Sequence, residues 1–401
     1  MAGVIVNEWL EPHGGVEKVM EEMAGVFPDA PIFTLWDDAP ERFQPGRVTQ
    51  SWLARTPLRR HKGLALPAMP STWRHLGHAE ADWILCSSHL FAHHARFSGP
   101  ARVAPKLVYA YTPARYIWNP ELDARGSGAL VRAVAPAFRA IDRQRAQEPQ
   151  AIAAISEFVR RRIENAWHRE STVIYPPVNV GLFSDPNLDG LTEAEREYLD
   201  REIPDEFILG ASRFIPYKRL DLVIRTGAAL GIPTVVAGSG PEEASLRSYA
   251  RENGRNVTFV IQPSVPLLRE LFRRASVFVF PPVEDFGIVP VEAMATGTPV
   301  IARSVGGASE TVIDGQTGAL IDSFDSREVR DAFERAMASA PDACATRALD
   351  FDSSVFRGNL QAWVQEEGHA GELSIEPANH SAQASRCADE MALAEMPRQG
   401  G

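Results

Sequence analysis

The stretch from 277 to 321 reads VFVFPPVEDFGIVPVEAMATGTPVIARSVGGASETVIDGQTGALI and alternates between two patterns. Short apolar runs at Val277–Phe280, residues 299–302 and Gly318–Ile321 predict buried strands, and residues 291–296 predict a helix. Strands that are apolar on both faces and alternate with helices are typical of parallel sheets. The stretch therefore predicts an α/β fold with a parallel sheet.

The same alternation extends over most of the chain. Further strand-like runs lie at residues 4–6, 32–35, 83–86, 107–110, 151–155, 172–175, 207–211, 234–237 and 257–261. Pro176-Pro177 ends the first series, and a polar segment separates it from the second. A chain of 401 residues is also long for one core.

These patterns predict four segments. Residues 1–180 form a first Rossmann-like domain, and residues 200–350 form a second. Residues 351–366 form a last helix, and residues 367–401 form a disordered tail, because they are rich in Ala, Ser, Glu and Gln and lack periodicity.

Charge and composition narrow the function. The net charge is −11, with 21 Lys+Arg against 18 Asp+Glu in residues 1–180 and 20 against 34 in residues 181–401. An acidic total argues against nucleic acid as a partner. There is no membrane-spanning apolar run or signal peptide, and Cys86, Cys344 and Cys387 fit no disulfide framework. We therefore expect a cytoplasmic protein.

Two glutamates carry the clearest chemical signal. Glu284 lies in the loop after a strand, and Glu292 lies eight residues later at the start of the next helix. Ligands bind at the carboxyl edges of parallel strands, and carboxylates accept hydrogen bonds from sugar hydroxyls. The pair suits a polyol ligand. Alternatively, Glu292 caps its helix and Glu284 is a solvated loop residue.

The Glu-x7-Glu spacing, the following Ala-Thr-Gly-Thr-Pro-Val and Val-Gly-Gly-x-x-Glu resemble the retaining glycosyltransferases of the GT-B fold, family four. The resemblance covers residues 4–365. It implies two Rossmann-like domains facing across a cleft, with the C-terminal helix crossing back to the first domain. It also implies a nucleotide diphosphate sugar as substrate.

The resemblance also implies roles for single residues. The implied catalytic residues are Arg213 and Lys218, which hold the donor diphosphate, and Glu284, which positions the sugar. The implied donor-binding residues are Gly14, Gly15, Phe286, Gly287, Ile288, Val289 and Glu292.

Within the family, WLEPHGGVEKVMEEMAGVFPDAPIFTLW (residues 9–36) resembles bacterial mannosyltransferases of polysaccharide assembly. This implies GDP-mannose or a UDP-sugar as donor, and a lipid-linked acceptor. Two positions depart from the pattern, where Glu8 and Tyr111 replace the usual Asp and His. His89 and Tyr111 are candidate sugar or acceptor contacts, and the alternative is that His89 is a structural residue.

Cofactor signals are weak. The turn Gly238-Ser239-Gly240 lacks the third glycine of a dinucleotide fingerprint, and no His, Cys and Asp set has metal-ligand spacing. We therefore expect no cofactor and a metal-independent enzyme. Two alternatives stay open: a non-catalytic sugar-nucleotide-binding protein with a decayed site, and a transferase of the same fold that acts on soluble acceptors.

Residues 49–74 are predicted to form an irregular, basic insertion. No Asp or Glu occurs between positions 43 and 78, where cations alternate with large apolar residues. These residues are Trp52, Leu53, Arg55, Leu58, Arg59, Arg60, His61, Lys62, Leu64 and Leu66. Together with the charge difference between the two halves and the lipid-linked acceptor that the resemblance implies, the pattern predicts reversible binding to an anionic membrane surface, at the inner face of the cell membrane. The alternative is a solvated loop whose arginines pair with acids elsewhere.

Overall fold

The structure is a computed structural model that describes residues 2–12, 14–118, 129–185, 188, 190–254 and 256–369. Residues 370–401 of the predicted tail lie outside these ranges. Within the described ranges, none of the helices combines the length and the apolar character needed to cross a bilayer.

The first sheet has seven parallel strands in the order β3-β2-β1-β4-β5-β6-β7. The strands are β1 (Gly3–Asn7), β2 (Ile32–Thr34), β3 (Val48–Gln50), β4 (Trp83–Ser88), β5 (Lys106–Ala110), β6 (Ala151–Ala154) and β7 (Thr172–Val173). β3 corrects the prediction that residues 49–74 are irregular throughout. It is a three-residue edge strand with little burial, so its sequence has no apolar run to reveal it.

The second sheet has six parallel strands in the order β10-β9-β8-β11-β12-β13. The strands are β8 (Ile208–Arg213), β9 (Thr234–Ser239), β10 (Val257–Ile261), β11 (Val277–Phe280), β12 (Val300–Arg303) and β13 (Gly318–Ile321). The chain builds outward from β8 to β10 and then returns to the other side of β8. The loops after β8 and β11 therefore diverge and leave a crevice at the carboxyl edge.

Helices cover the sheets and connect their strands. They are α1 (Gly15–Val26), α2 (Lys62–Ala65), α3 (Met69–Trp73), α4 (Arg115–Trp118), α5 (Ala129–Arg145), α6 (Glu157–Trp167), α7 (Val180–Ser184), α8 (Glu193–Glu202), α9 (Leu220–Leu230), α10 (Glu243–Asn253), α11 (Val265–Arg274), α12 (Ile288–Ala295), α13 (Ala308–Thr311), α14 (Ser326–Met337), α15 (Pro341–Leu349) and α16 (Ser353–His369). The central strands β1, β4, β5, β11 and most of β8 are buried, because parallel sheets need cover on both faces.

The last helix, α16, packs on the first sheet. The ring of Phe356 lies 5.7 Å from that of Tyr109 on β5, and Arg357 forms an ion pair of 2.7 Å with Glu22 on α1. These contacts confirm the predicted helix that returns to the first domain. The helix continues to His369, so residues 367–369 are helical and not part of the predicted tail.

Candidate functional site

Lys218 and Glu284 meet at the crevice of the second sheet. Lys218 ends a 3₁₀ turn after β8, Glu284 lies in the loop after β11, and the two side chains form an ion pair. They meet because β8 and β11 are neighbours in the sheet although 66 residues separate the side chains along the chain. Arg213, the last residue of β8, is exposed and donates a 3.5 Å hydrogen bond to the hydroxyl of Tyr217. The crevice thus holds two cations and one carboxylate.

Glu292 lies deeper, on α12. It is the fifth residue of the helix, one turn later than the first-turn position expected from the sequence. Burial raises the pKa of the Glu292 carboxyl, and Lys18 on α1 offsets part of that rise from 3.7 Å away. Because Lys18 comes from the first domain, Glu292 faces the cleft between the two domains.

The glycine loop before α1 faces the start of α12. A Cβ at Gly15 would lie 3.7 Å from the Cδ1 of Ile288, so the glycine loop lies within van der Waals reach of the Ile288 side chain. At Gly14 a Cβ would lie 2.1 Å from a carboxylate oxygen of Glu17, which is folded back over the loop. Burial raises the pKa of Glu17. The predicted donor-binding segments, Gly14-Gly15 and residues 286–289, are therefore brought together.

Two more glycines shape the loop that carries Glu284. Gly287 caps α12 with a φ of 94°, a conformation that residues with a Cβ rarely adopt. Gly307 donates its N–H to the carbonyl of Glu284 at 2.7 Å, and a Cβ there would lie 2.3 Å from the Cα of Phe286. The Val-Gly-Gly segment therefore supports the Glu284 loop from behind.

Tyr111 and His89 lie at the carboxyl edge of the first sheet. The buried Tyr111 hydroxyl shares a 3.1 Å hydrogen bond with Ser87 Oγ, and burial raises the pKa of this phenol. The ring of His89 packs edge-on against Trp9 with 4.9 Å between centroids. Both candidates line the end of the sheet that faces the cleft, and both have partners within the first domain.

Glu8 has a structural role in this region. Its side chain is fully buried, and its Oε1 accepts hydrogen bonds from the backbone N–H groups of Leu90 and Ala92, both at 2.8 Å. These bonds hold the loop that carries His89. The departure at Glu8 is therefore an anchor for this loop and gives no support to a decayed site.

The two domains are joined beside Glu284. Both carboxylate oxygens of Asp285 pair with the first domain: Oδ2 with Arg115 and Oδ1 with Arg162 at 2.7 Å. The backbone carbonyl of Asp285 accepts a 2.5 Å hydrogen bond from Ser156. In addition, Glu310 accepts the N–H groups of residues 157 and 158, both at 2.7 Å, at the start of α6.

No sequence pattern predicted a role for these interface residues. Asp285 and Glu310 belong to the stretch that decides the fold, but their partners lie 123 to 170 residues away. The signal that was available is their position, since Asp285 follows Glu284 directly and Glu310 ends the Val-Gly-Gly-x-x-Glu segment.

A buried cluster in the first domain has the residue types of a metal site. His93, His94 and Asp142 place a ligand atom each within 4.8 Å of one another. The spacing in sequence did not reveal it, because Asp142 lies 48 residues after His94. Both carboxylate oxygens of Asp142 already have partners. Oδ2 accepts the indole N–H groups of Trp118 and Trp167, both at 2.7 Å. Oδ1 faces the two histidines. The cluster is a hydrogen-bonded network that holds α5 against the core.

Comparison with known proteins agrees with this architecture. Residues 192–348 match the family described as Glycosyl transferases group 1. The D-inositol 3-phosphate glycosyltransferase of Mycobacterium avium (strain 104) is 36% identical over 196 residues, 46% of this chain and 45% of that protein. The protein of the same name from Mycolicibacterium smegmatis (strain ATCC 700084 / mc(2)155) is 30% identical over 198 residues, which are 47% of this chain and 44% of that protein. The chain thus spans about half the length of the curated relatives it matches.

Solved structures match over a larger share of the chain. Anabaena Alr3699/HepE in complex with UDP-glucose has a TM-score of 0.66 at 18% identity, covering 91% of this chain and all of that one. WaaG, a glycosyltransferase involved in lipopolysaccharide biosynthesis, has a TM-score of 0.60 at 16% identity, covering 92% and 99%. At these identities the likeness shows the fold. The fold is GT-B, and the second domain carries the match to group 1 glycosyltransferases.

Proposed function

We propose that this chain is a retaining glycosyltransferase that moves a hexose from a nucleotide diphosphate donor to an acceptor hydroxyl. The bond between the anomeric carbon and the diphosphate breaks, a bond to the acceptor oxygen forms, and the acceptor loses its proton. The observation that carries this proposal is the ion pair of Lys218 and Glu284 in the crevice where β8 ends at Arg213, with Glu292 on the helix that follows the Glu284 loop.

Each side chain has a role in that reaction. Arg213 and Lys218 neutralise the leaving diphosphate, as cations aimed at developing charge stabilise a transition state. Glu284 holds Lys218 and positions the sugar, and Glu292 accepts the ribose hydroxyls. Residues 286–289 and Gly14-Gly15 approach the donor through their backbone. Two cations can supply the neutralisation that a divalent ion supplies elsewhere, so the proposal includes activity without metal.

The proposed donor is GDP-mannose, with a UDP-sugar as the alternative, which is supported by the similar fold of Anabaena Alr3699/HepE in complex with UDP-glucose. The proposed acceptor is a lipid-linked saccharide or glycolipid of cell-surface polysaccharide assembly. A soluble phosphorylated polyol is the second candidate acceptor, since the similar sequences are named D-inositol 3-phosphate glycosyltransferases.

We propose that the protein lies at the cytoplasmic face of the membrane. The surface that holds it there is smaller than the sequence predicted. Arg59, Lys62 and Arg74 pair with Asp38, Glu11 and Glu148. Trp52 and Leu64 are 56% and 68% exposed, and Arg55 and Arg60 are exposed without an ion pair among the described residues. We call Trp52, Arg55, Arg60 and Leu64 the exposed basic patch.

The test is release of nucleoside diphosphate from a panel of nucleotide sugars, with and without acceptors and with EDTA. We expect turnover with one donor, insensitive to EDTA. Lys218→Ala and Arg213→Ala should each reduce it by about a hundredfold or more, because each removes a charge from the leaving group. Arg251→Ala, an exposed arginine on α10, is the matched control.

Three outcomes would contradict the proposal. If the protein bound a nucleotide sugar but released no nucleoside diphosphate, with or without acceptor, it would be a non-catalytic binding protein. Loss of activity in EDTA that magnesium or manganese restores would refute metal independence. If Lys218→Ala kept near wild-type turnover at saturating donor, the crevice would not be the site that binds the leaving diphosphate.

A further inference from the structure

A second cationic concavity lies in the first domain, away from the crevice. It has a volume of about 610 Å³ and is lined by five cations and one carboxylate together with apolar residues. The charged residues are Arg74, Arg96, Arg102, Lys106, Arg145 and Glu148. We call this cavity the basic pocket. Its volume lies within the range of about 300–1,000 Å³ that is common for small-molecule sites.

The basic pocket and the cleft lie at opposite edges of the first sheet. Lys106 is the first residue of β5, Ile84 is the second residue of β4, and Gln150 directly precedes β6. Ser88 and Tyr111 stand at the other ends of β4 and β5 and face the cleft. All strands are parallel, so their amino-terminal ends share one edge. The pocket is therefore no part of the proposed donor site.

Charge inside the pocket is only partly balanced. Glu148 accepts from Arg74, Lys106 and Arg145 at 2.6, 3.0 and 2.7 Å. Although burial raises the pKa of Glu148, these cations lower it to about 2. Lys106 is itself buried, and its ammonium also donates to the carbonyls of His93 and Ala95. Burial lowers the pKa of Lys106, but one carboxylate cannot neutralise the two arginines, so this group keeps a net positive charge.

Arg96 and Arg102 add to this excess. Both line the pocket, both are exposed, and neither has an ion pair within the described part of the chain. The four arginines of the lining therefore outnumber its single carboxylate, and the pocket is positive. Guanidinium groups bind phosphate through paired N–H donors, and a concave low-dielectric wall strengthens the field of grouped cations.

We propose that the basic pocket binds a small molecule or headgroup that carries phosphate with at least two negative charges. Lys106, Arg74 and Arg145 form a floor whose positions Glu148 fixes. Arg96 and Arg102 supply free guanidinium groups at the rim. A diphosphate, a phosphorylated metabolite and a phospholipid headgroup share this chemistry.

Calorimetric titration with inorganic pyrophosphate tests the pocket. The full-length chain should carry Arg213→Ala and Lys218→Ala, so that the crevice does not contribute. We expect this protein to bind pyrophosphate, and the further changes Arg96→Glu and Arg102→Glu to weaken binding by about tenfold or more. The control pair is Arg251→Glu and Arg327→Glu, which changes the net charge equally at exposed positions of the second domain.

Two results would overturn the proposal: no pyrophosphate binding by the Arg213→Ala, Lys218→Ala protein, or an equal loss in the control pair. The design does not depend on sugar transfer, so failure of the proposed function leaves it intact. Circular dichroism of each variant checks the fold.

A second arm identifies the source of the phosphate. Vesicles that contain phosphatidic acid, whose phosphate monoester can carry two negative charges, are sedimented with the Arg96→Glu, Arg102→Glu variant and with the wild-type chain. If vesicle binding falls with pyrophosphate binding, the ligand is a lipid headgroup. If vesicle binding is unchanged while pyrophosphate binding falls, the ligand is a free phosphate compound. Both results support the pocket.

Discussion

At the scale of single residues, Glu8 shows how burial determines the role of a side chain. As a letter in the sequence it is a departure from the family pattern. In the fold it is a carboxylate without solvent exposure that accepts two backbone N–H groups. Buried donors without partners are costly, so this position needs an acceptor more than it needs a catalytic acid.

Glu8→Ala should therefore lower the free energy of unfolding by about 2 kcal/mol or more, because two buried N–H groups lose their acceptor. Glu8→Gln retains one side-chain oxygen that can accept these N–H groups and should cost less. Urea denaturation measures both, with Glu252→Ala on the exposed side of α10 as control. A Glu8→Ala protein as stable as wild type would show that the loop is held by other contacts.

His94 predicts how stability depends on pH. Burial, with a smaller effect from His93, lowers the pKa of His94 to about 4. The unfolded chain, with an ordinary histidine pKa near 6.5, then binds more protons than the folded chain between these values. Stability is complete above about pH 6.5 and falls as the pH drops toward 4, by up to about 1.4 kcal/mol per unit.

Urea unfolding at pH 7 and pH 5 measures this slope. His94→Asn should flatten it, since the titrating group is gone. His61→Asn, at an exposed position, should leave it unchanged. An equal slope in wild type and His94→Asn would assign the acid sensitivity to another group.

At the scale of elements, the start of α6 is completed by the second domain. Ser156 caps α6 by accepting from the N–H of Val159 at 3.0 Å, and the same hydroxyl donates to the carbonyl of Asp285. Glu310 accepts two further N–H groups of the first turn, and negative charge is favourable at that end of a helix. The loop that carries Glu284 is thereby tied to a helix of the other domain.

Asp285→Ala should weaken this joint and leave Arg115 and Arg162 without their counter-charge. Breaking such a part-buried pair costs about 3 kcal/mol. We expect Asp285→Ala to be less stable and to unfold in two calorimetric transitions where the wild-type chain unfolds in one. Turnover should also fall, because Glu284 is the adjacent residue. Asp314→Ala, which breaks a pair with Arg335 within the second domain, is the control. If Asp285→Ala still unfolded in one calorimetric transition at the wild-type temperature, Asp285 would not be needed to join the two domains.

At the scale of the whole molecule, charge differs between the two domains. The first 180 residues carry a balance of +3 and the rest −14, as their Lys, Arg, Asp and Glu counts give. The exposed basic patch lies on the positive half. A negatively charged surface should therefore attract the first domain and repel the second.

The full-length chain should accordingly sediment with vesicles that contain anionic lipid at low salt and detach at high salt. Arg55→Glu with Arg60→Glu should weaken binding by about tenfold or more, since each cation near an anionic leaflet contributes about 1 kcal/mol. Arg251→Glu with Arg327→Glu controls for net charge. Absence of binding at low salt, or binding unchanged in the patch variant, would refute the membrane proposal.

The sequence by itself determined the alternation of strands and helices, the two parallel sheets and the fold class. The reason is that buried parallel strands need continuous apolar runs, which are visible as letters. It also singled out Glu284 and Glu292, because their spacing places one after a strand and the other on the next helix, and the family resemblance added Lys218.

Only the tertiary structure decided which side chains pair across the chain. Glu8, Asp285, Asp142 and the basic pocket depend on contacts between residues 42 to 170 positions apart. Residue spacing carries no record of such contacts, because they arise when separate strands join one sheet and two domains close on one another. The same physics paired Arg59, Lys62 and Arg74 with distant acids and reduced the predicted membrane surface to a smaller patch.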